Sequence, residues 1–336
     1  MTDYLIGIDL GGTRLRAACL DDQLNILHRI EKLTLAEEGR EATIQRIKDA
    51  IAEVLPEDKS TVRGIGVSVP GPSNPETGVV VAPPNLPGWR DVPLVDILNK
   101  EFDLPVYLGN DANVAALAEV ALGSAQDYKH AIYLTVSTGI GGGVINDERL
   151  ILGQTGIGNE VGHMVMLVDD GNKSRVSTLE KEAAGPALVR QARERIEAGA
   201  ESKLVEMANG DLDAMDGKMI GDAANAGDPL AIDIVKRGGS IVGMGIVNLL
   251  HIFNPEAVII GGGVSYIGDI WFDEVMASIK AYTIDDDYWQ NTPIIQSKIS
   301  EDVSILGSAL LVLTKGSKRK LSKALKNMAN TESGEK

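Results

Sequence analysis

Residues 4–20 read YLIGIDLGGTRLRAACL, and this stretch decides the fold. Two largely apolar runs flank Gly11-Gly12-Thr13, a pattern that predicts a β-hairpin with a glycine turn. The pattern returns at residues 131–145, AIYLTVSTGIGGGVI, where Ile132 lies 126 residues after Ile6 and opens an equivalent strand. A duplication at this spacing indicates two similar domains rather than a solenoid.

Strands and helices alternate along the rest of the chain. Residues 41–55 carry an apolar stripe at helical spacing, and residues 62–69 alternate like a strand. Residues 257–260 are a short apolar run that opens into three glycines. This arrangement predicts α/β layers with ligands at the strand ends. We predict a first domain at residues 1–112 and a second at residues 113–301. A helix at 302–314 is expected to pack back on the first domain, and residues 315–336 are expected to form a flexible basic tail.

The charge of the chain limits its partners. The 336 residues carry a formal net charge of −16, which argues against a broad basic surface for nucleic acid or membrane lipid. Residues 315–336 hold seven Lys/Arg and two Glu, and we interpret them as a solvated terminus. The single cysteine, Cys19, permits neither an intrachain disulfide nor a Cys-rich zinc site. Signal-peptide features and bilayer-length apolar stretches are missing, so we expect a cytoplasmic protein.

Three glycine-rich turns are suited to binding a nucleotide. Gly11-Gly12 lack a Cβ, so their amides can approach a phosphate, and the Thr13 hydroxyl can donate to it. Residues 137–143 repeat this chemistry, and residues 261–263 offer a flat backbone wall for a base. A purely structural turn is the competing interpretation for each. Asp9, an acid within an apolar strand, is suited to a magnesium ion bound through water.

Two further motifs carry side chains for acid–base and hydrogen-bonding chemistry. Asp111 follows a strand and opens a helix, where a carboxylate can take the proton of an attacking hydroxyl. Helix capping by Asn110 or Asp111 is the alternative interpretation. Glu160, His163 and Glu180 supply carboxylates and an imidazole suited to the hydroxyls of a sugar. Glu160 and His163 are too few for zinc, which usually takes three or four protein ligands.

Together, eight motifs resemble one known family, the repressor, open reading frame, kinase (ROK) family of sugar kinases. The motifs are DLGGT (9–13), VPGP (69–72), PNLPGW (84–89), GNDAN (109–113), STGIGGG (137–143), GNEVGH (158–163), LEKEAAGPAL (179–188) and NPEAVIIGGGVS (254–265). Their order and spacing over residues 4–314 are specific. The resemblance implies an α/β fold of duplicated actin-like ATPase (ribonuclease H-like) domains with a cleft between them.

Within the family, the chain is most similar to the ATP-dependent glucokinases. This similarity implies transfer of the γ-phosphoryl group of ATP to the 6-hydroxyl of D-glucose, with Mg²⁺. Asp111 would be the catalytic base, and Asp9 would lie near the magnesium ion. The sugar would be bound by Gly71, Asn85, Asn110, Asp111, Glu160, His163 and Glu180. The phosphates would be bound by Gly11, Gly12, Thr13, Thr138 and Gly139, and the adenosine by Gly261, Gly262 and Gly263.

One segment departs from the family pattern. Members usually carry a Cys-rich zinc loop ahead of the residue that matches Glu180, whereas residues 164–179 contain no cysteine. We therefore predict that the protein has no structural zinc site. The segment must be held in another way, and we expect packing of Met164, Met166, Leu167 and Val168.

Alternatives to glucose and ATP stay open at this stage. The sugar could be N-acetylmannosamine, N-acetylglucosamine, fructose or allose, and the phosphoryl donor could be polyphosphate. A sugar-responsive repressor of the family is less favoured. It would need a helix-turn-helix domain before the first hairpin, and here that hairpin begins at residue 4. The sugar-type side chains also argue against a chaperone-like ATPase. Because the family is commonly dimeric or tetrameric, the resemblance implies a homo-oligomer.

Overall fold

The computed structural model describes residues 3–126, 128–169, 174–299 and 302–329. The chain forms two compact units, each built from segments that are separate in the sequence. The first unit comprises Met1–His130, Gly143–Asn159 and Lys298–Lys336, and the second comprises Ala131–Gly142 and Glu160–Ser297. The predicted domains, 1–112 and 113–301, are each continuous apart from the helix at 302–314. That division stays a prediction.

Fourteen strands and twelve helices are present in the described residues. In chain order the strands are β1 (Tyr4–Leu10), β2 (Arg14–Leu20), β3 (Ile26–Leu33), β4 (Val62–Val69), β5 (Ser73–Asn74), β6 (Val79–Val80), β7 (Val106–Asn110), β8 (Ala131–Val136), β9 (Ile140–Asn146), β10 (Arg149–Leu150), β11 (Val165–Asp169), β12 (Ser174–Thr178), β13 (Ala257–Gly261) and β14 (Ile294–Gln296). The helices are α1 (Arg40–Val54), α2 (Leu94–Phe102), α3 (Asp111–Leu122), α4 (Leu179–Ala183), α5 (Gly185–Glu197), α6 (Leu204–Met207), α7 (Gly217–Asn225), α8 (Pro229–Phe253), α9 (Asp269–Tyr282), α10 (Asp287–Gln290), α11 (Val303–Thr314) and α12 (Leu321–Ala329).

The first unit is built on a five-stranded sheet with the order β3-β2-β1-β4-β7. β1 and β2 pair antiparallel as the predicted hairpin, whereas β1, β4 and β7 run parallel. Helix α1 follows the predicted stripe, because Ile47, Ile51 and Val54 are buried in the core beside β1. Helix α11 packs on β1, β4 and α3. The carboxyl ends of β1, β4 and β7 therefore meet at one edge of this sheet.

The second sheet has the order β10-β9-β8-β13-β14. β8, β13 and β14 run parallel, and β10 pairs antiparallel with β9. This order repeats that of the first sheet, with a glycine hairpin leading into two parallel strands. The α/β fold with duplicated actin-like ATPase domains is thus confirmed. Helices α8 and α9 pack against each other in the second unit, and Trp271 of α9 is fully buried.

Within residues 315–329, the basic segment differs from the expected solvated terminus, and residues 330–336 of that prediction lie outside the described residues. Leu321 and Ala324, spaced three residues apart on α12, are both 3% exposed. The backbone N–H of Leu321 donates to the carbonyl oxygen of Glu148 (3.1 Å), and the Lys320 ammonium pairs with Asp147. An apolar stripe within this basic segment, rather than its charge, decides the local structure.

Candidate active site

The glycine turn of the first hairpin lies close to a second predicted site residue. The N–H of Gly11 donates to the carbonyl oxygen of Arg14 (2.8 Å), which closes the turn. A Cβ on Gly12 would lie 2.9 Å from the Cβ of Asn85, so only glycine permits this approach. The exposed Thr13 follows directly. The structure therefore brings Asn85, predicted to bind sugar, beside the turn predicted to bind phosphate.

Asp9 is held near the end of β1 by an arginine on the neighbouring strand. Asp9 and Arg16 are register partners, and the Arg16 Nη1 lies 3.3 Å from the Asp9 Oδ2. Burial raises the pKa of Asp9 to about 6, with a further contribution from the charge of Asp111, while Arg16 acts in the opposite direction. Arg16 also donates to Glu31 through its Nε (3.1 Å), which fixes its position.

Asp9 could serve as one ligand of a magnesium ion whose other ligands are water and substrate phosphates. Magnesium at phosphoryl-transfer sites is held by one or two carboxylates, water and substrate phosphates. Asp9 matches such a ligand, because it places one carboxylate near the end of β1. Throughout the part of the chain that the structure describes, no three His, Cys, Asp or Glu side chains form a metal-binding group.

Asn110 and Asp111 lie at the start of α3 and make different hydrogen bonds there. Asn110 ends β7, and its side-chain oxygen caps the helix by accepting from the N–H of Asn113 (2.7 Å). Asp111 is the first helical residue, and its Oδ1 accepts from the N–H of Ala112 (2.8 Å). Its side chain is accessible to solvent, yet surrounding protein raises the pKa of its carboxyl above 3.8, an effect that the bond from Ala112 opposes. A raised pKa makes Asp111 a better proton acceptor.

Glu160, His163 and Glu180 of the second unit lie near the base of one hairpin. A single turn of 3₁₀ helix follows Glu160, whose carbonyl oxygen accepts from the N–H of His163 (3.0 Å). The next residue, Met164, accepts from the N–H of Leu179 (3.0 Å), which extends the pairing of β11 and β12. His163 and Glu180 therefore flank this hydrogen bond on adjacent segments, although 17 positions separate them in the sequence.

Glu180 also contacts the second glycine hairpin. Its Oε2 accepts from the N–H of Ile140 (2.8 Å). A Cβ on Gly139 would lie 2.7 Å from the same oxygen, so a larger residue here would displace the Glu180 carboxylate. A carboxylate predicted to bind sugar thus lies against a turn predicted to bind phosphate, immediately after the exposed Thr138.

A cavity of about 920 Å³ lies in the second unit. Thr138 and Gly263 line it, together with apolar surface from Val189 and Ile267. This volume lies within the range of ligand cavities, about 300–1,000 Å³. Sequence reasoning missed the walls that α5 and α7 supply, although the Gly-Pro pair at the start of α5 signals a helix N-terminus.

Gly261 and Gly262 do not line this cavity, unlike Gly263. A Cβ on Gly261 would lie 2.5 Å from the hydroxyl of Tyr133, and Gly262 has a φ of +87° and lies against the backbone of Val136. These two glycines permit close packing beneath the cavity. Their prediction as adenosine contacts stays untested.

The segment that replaces the family's zinc loop is the β11–β12 hairpin. Val168 is buried as expected, but Leu167 is 75% exposed, because alternate residues of a strand face opposite sides. The hairpin is instead tied down by Glu182 of α4, which is 1% exposed. Its carboxylate accepts from Arg175 (2.6 and 3.0 Å) and Ser177 (2.6 Å).

Arg237 of α8 completes this network around Glu182. The Arg237 Nη1 lies 3.4 Å from the Glu182 Oε2. Burial raises the pKa of Glu182, but the hydrogen bonds from Arg175 and Ser177 outweigh it, so the pKa lies below 4.5. Glu182 therefore links the hairpin to two helices. Sequence reasoning missed this network, because its members span residues 175–237 and form no local motif.

The sequence profile of the ROK family matches residues 5–315. The chain belongs to the ROK family. Among ROK relatives, the glucokinase of Thermotoga maritima is 37% identical over 311 residues, covering 92% of this chain and 96% of its own. The glucokinase of Streptomyces coelicolor is 33% identical over 313 residues, covering 90% and 96%.

Solved ROK structures have the same fold. The ROK family glucokinase from Streptomyces griseus, in complex with glucose and AMPPNP, is 31% identical, with a TM-score of 0.74 over 91% of this chain and 98% of its own. The ROK hexokinase from Thermus thermophilus is 32% identical, with a TM-score of 0.76 over 91% and 97%. Among the described helices of the present chain, none has the length and apolar character needed to cross a membrane.

Proposed function

We propose that this ROK family protein is a glucose kinase that transfers the γ-phosphoryl group of ATP to the 6-hydroxyl of D-glucose. One observation carries the proposal: Glu180 contacts the Gly139–Ile140 backbone, while the adjacent Thr138 lines the 920 Å³ cavity. The carboxylate proposed for the sugar and the cavity proposed for the nucleotide thus adjoin at one hairpin. The glucokinase relatives, which this chain matches over most of its length, support the choice of glucose and ATP.

In phosphoryl transfer, the protein mainly positions the two substrates and accepts one proton. Asp111 accepts the proton of the sugar 6-hydroxyl as that oxygen attacks the γ-phosphorus. Its raised pKa suits this role. When bound, magnesium neutralises charge on the phosphates. Asp9 would hold that ion through water, and Arg16 keeps the Asp9 carboxylate in place.

The remaining predicted site residues bind the two substrates. Gly71 lies beside the sugar in this proposal, and the hydrogen bonds to its hydroxyls come from Asn85, Asn110, Glu160, His163 and Glu180. The phosphates contact Gly11, Gly12, Thr13, Thr138 and Gly139, and the adenosine lies against Gly261, Gly262 and Gly263. From the family resemblance we also expect a homo-oligomer. We expect no zinc, because residues 164–179 lack cysteine, and a cytoplasmic location, as predicted above from the sequence.

A coupled assay of ADP release tests the proposal directly. Glucose, fructose, allose, N-acetylglucosamine and N-acetylmannosamine are compared as acceptors with ATP as donor. Formation of glucose 6-phosphate is then compared with ATP and with polyphosphate. We expect the highest kcat/KM for glucose with ATP. Preference for another acceptor or donor would reassign the substrate, and sugar binding without turnover would indicate a sugar-sensing regulator.

Asp111→Asn tests the proposed base. General-base catalysis typically contributes about 10²- to 10⁴-fold, so kcat should fall by that range. The affinity for ADP, measured by isothermal titration calorimetry, should stay unchanged, because the substitution preserves shape and Asn110 still caps α3. A variant with near wild-type kcat would remove Asp111 from this role.

A further inference from the structure

A second cavity, in the first unit, is lined by basic side chains. It has a volume of about 340 Å³ and lies where α11 ends and the chain turns toward α12. Arg63, Lys315 and Arg319 line it, and Tyr107 contributes a phenol ring. In the described part of the chain, no Asp or Glu lines this cavity. In a chain with a net charge of −16, such a concentration of positive charge needs an explanation.

Two of these three cations have no side-chain partner among the described residues. The Arg63 Nε lies 3.0 Å from the Asp3 Oδ2, so that charge is compensated. Over residues 3–126, 128–169, 174–299 and 302–329, the side chains of Lys315 and Arg319 make no hydrogen bond or ion pair. Their neighbours differ, since Lys318 pairs with Glu76 and Lys320 pairs with Asp147. Lys315 and Arg319 thus contribute two uncompensated positive charges to the wall of the cavity.

The backbone fixes the position of these two cations. Lys315 has a φ of 53° and ends α11. Its N–H donates to the carbonyl oxygen of Val312 (3.2 Å), and the N–H of Arg319 donates to that of Thr314 (2.9 Å). These bonds satisfy carbonyl groups at the negative end of the helix, which would otherwise repel an anion. These backbone bonds therefore hold Lys315 and Arg319 in the wall of the cavity.

We propose that this basic cavity binds a small phosphate-bearing anion of about the size of pyrophosphate. Arginine and lysine together supply several N–H donors, and phosphate oxygens accept such charge-assisted bonds strongly. A volume of 340 Å³ is near the lower limit of ligand cavities, which favours a small molecule. The charge disfavours a nucleic acid, because residues 1–314 carry most of the acidic residues and would repel an extended polyanion.

Calorimetric titration with pyrophosphate, and separately with inorganic phosphate, tests the proposal. Glucose and AMPPNP are kept saturating, so that a phosphate site of the proposed kinase centre is occupied. Arg319→Gln and Lys315→Gln should each raise the Kd of the probe about tenfold, as expected for the loss of one charge-assisted hydrogen bond. Lys323→Gln is the matched control, because Lys323 is an exposed cation of α12 that does not line the cavity. The Kd of the Lys323→Gln variant for the probe should equal that of the wild type.

Hydrogen exchange locates the site independently of the variants. Pyrophosphate should slow the exchange of amides within residues 312–324 of the wild-type protein. Glucose phosphorylation by the Arg319 and Lys315 variants should match that of the wild type, since neither residue belongs to the proposed kinase site. Equal Kd values in wild type and both variants, or no binding of either probe, would overturn the proposal. Neither outcome would affect the kinase assignment.

Discussion

Replacing Glu182 by Gln tests whether the buried carboxylate holds the β11–β12 hairpin in place of zinc. The substitution keeps the shape of the side chain but removes its charge. Glu182 accepts three bonds of 2.6–3.0 Å and one of 3.4 Å. Hydrogen bonds to a charged group contribute about 1.5–3 kcal/mol each in buried settings. Arg175 and Arg237 are 41% and 31% exposed, so water compensates much of their loss.

We therefore expect Glu182→Gln to lower the free energy of unfolding by about 2 kcal/mol. Urea denaturation at pH 7 measures this loss, and hydrogen exchange of the hairpin amides shows whether it is local. Glu194→Gln is the control, because its ion pair with Arg190 is exposed and should contribute less than about 0.5 kcal/mol. A loss no larger than that of the control would refute a structural role for Glu182.

The pH dependence of the same variant gives a second test. The pKa of Glu182 lies below its usual 4.5, since the bonds from Arg175 and Ser177 outweigh the effect of burial. A carboxyl with a lowered pKa stabilises the folded state above the unfolded pKa and loses this contribution as pH falls through the folded value. The difference between wild type and Glu182→Gln should be complete at pH 7 and should shrink below about pH 4.5. A difference that stayed constant down to pH 3 would contradict the ionic interpretation.

Three further predictions concern the proposed kinase. Arg16→Gln should raise the pKa of Asp9 above about 6, so the acid limb of the kcat/KM profile should move to higher pH, whereas Arg14→Gln should leave it in place. Gly139→Ala places a methyl 2.7 Å from the Glu180 carboxylate. It should raise the KM for glucose about tenfold, and an unchanged KM would refute this contact. Elemental analysis should find no stoichiometric zinc, and magnesium alone should restore activity after EDTA treatment.

The sequence predicts the fold well where local pattern and tertiary structure agree. The hairpins at residues 4–20 and 131–145 were expected from apolar runs around glycines, and both are present. The stripe over residues 41–55 forms α1, which ends one residue earlier. The order of the strands could not be predicted from local pattern, because pairing between β1 and β4 joins residues about 60 positions apart. Only the duplication of the motif indicated that both sheets share one topology.

The network around Glu182 was not predictable from the residues alone. Sequence reasoning assigned the hairpin to apolar packing, because residues 164–168 are rich in Met, Leu and Val. On a two-stranded hairpin, however, alternate residues face solvent, so Leu167 cannot contribute to a core. Of the partners of Glu182, Arg175 and Ser177 lie on the hairpin itself, but Arg237 lies 55 positions away in the sequence. A pairing over that distance leaves no periodic signal in the sequence.

Asn110 and Asp111 show why a structural interpretation and a chemical one need not compete. Both residue types cap helices, so the sequence left open whether either was more than a cap. In the structure, Asn110 alone provides the N-cap, by accepting from the N–H of Asn113. Asp111 then lies in the first turn, where the helix dipole stabilises its charge while the surrounding protein raises its pKa. The cap fixes the backbone of the neighbouring acid, and that acid remains accessible to a substrate hydroxyl.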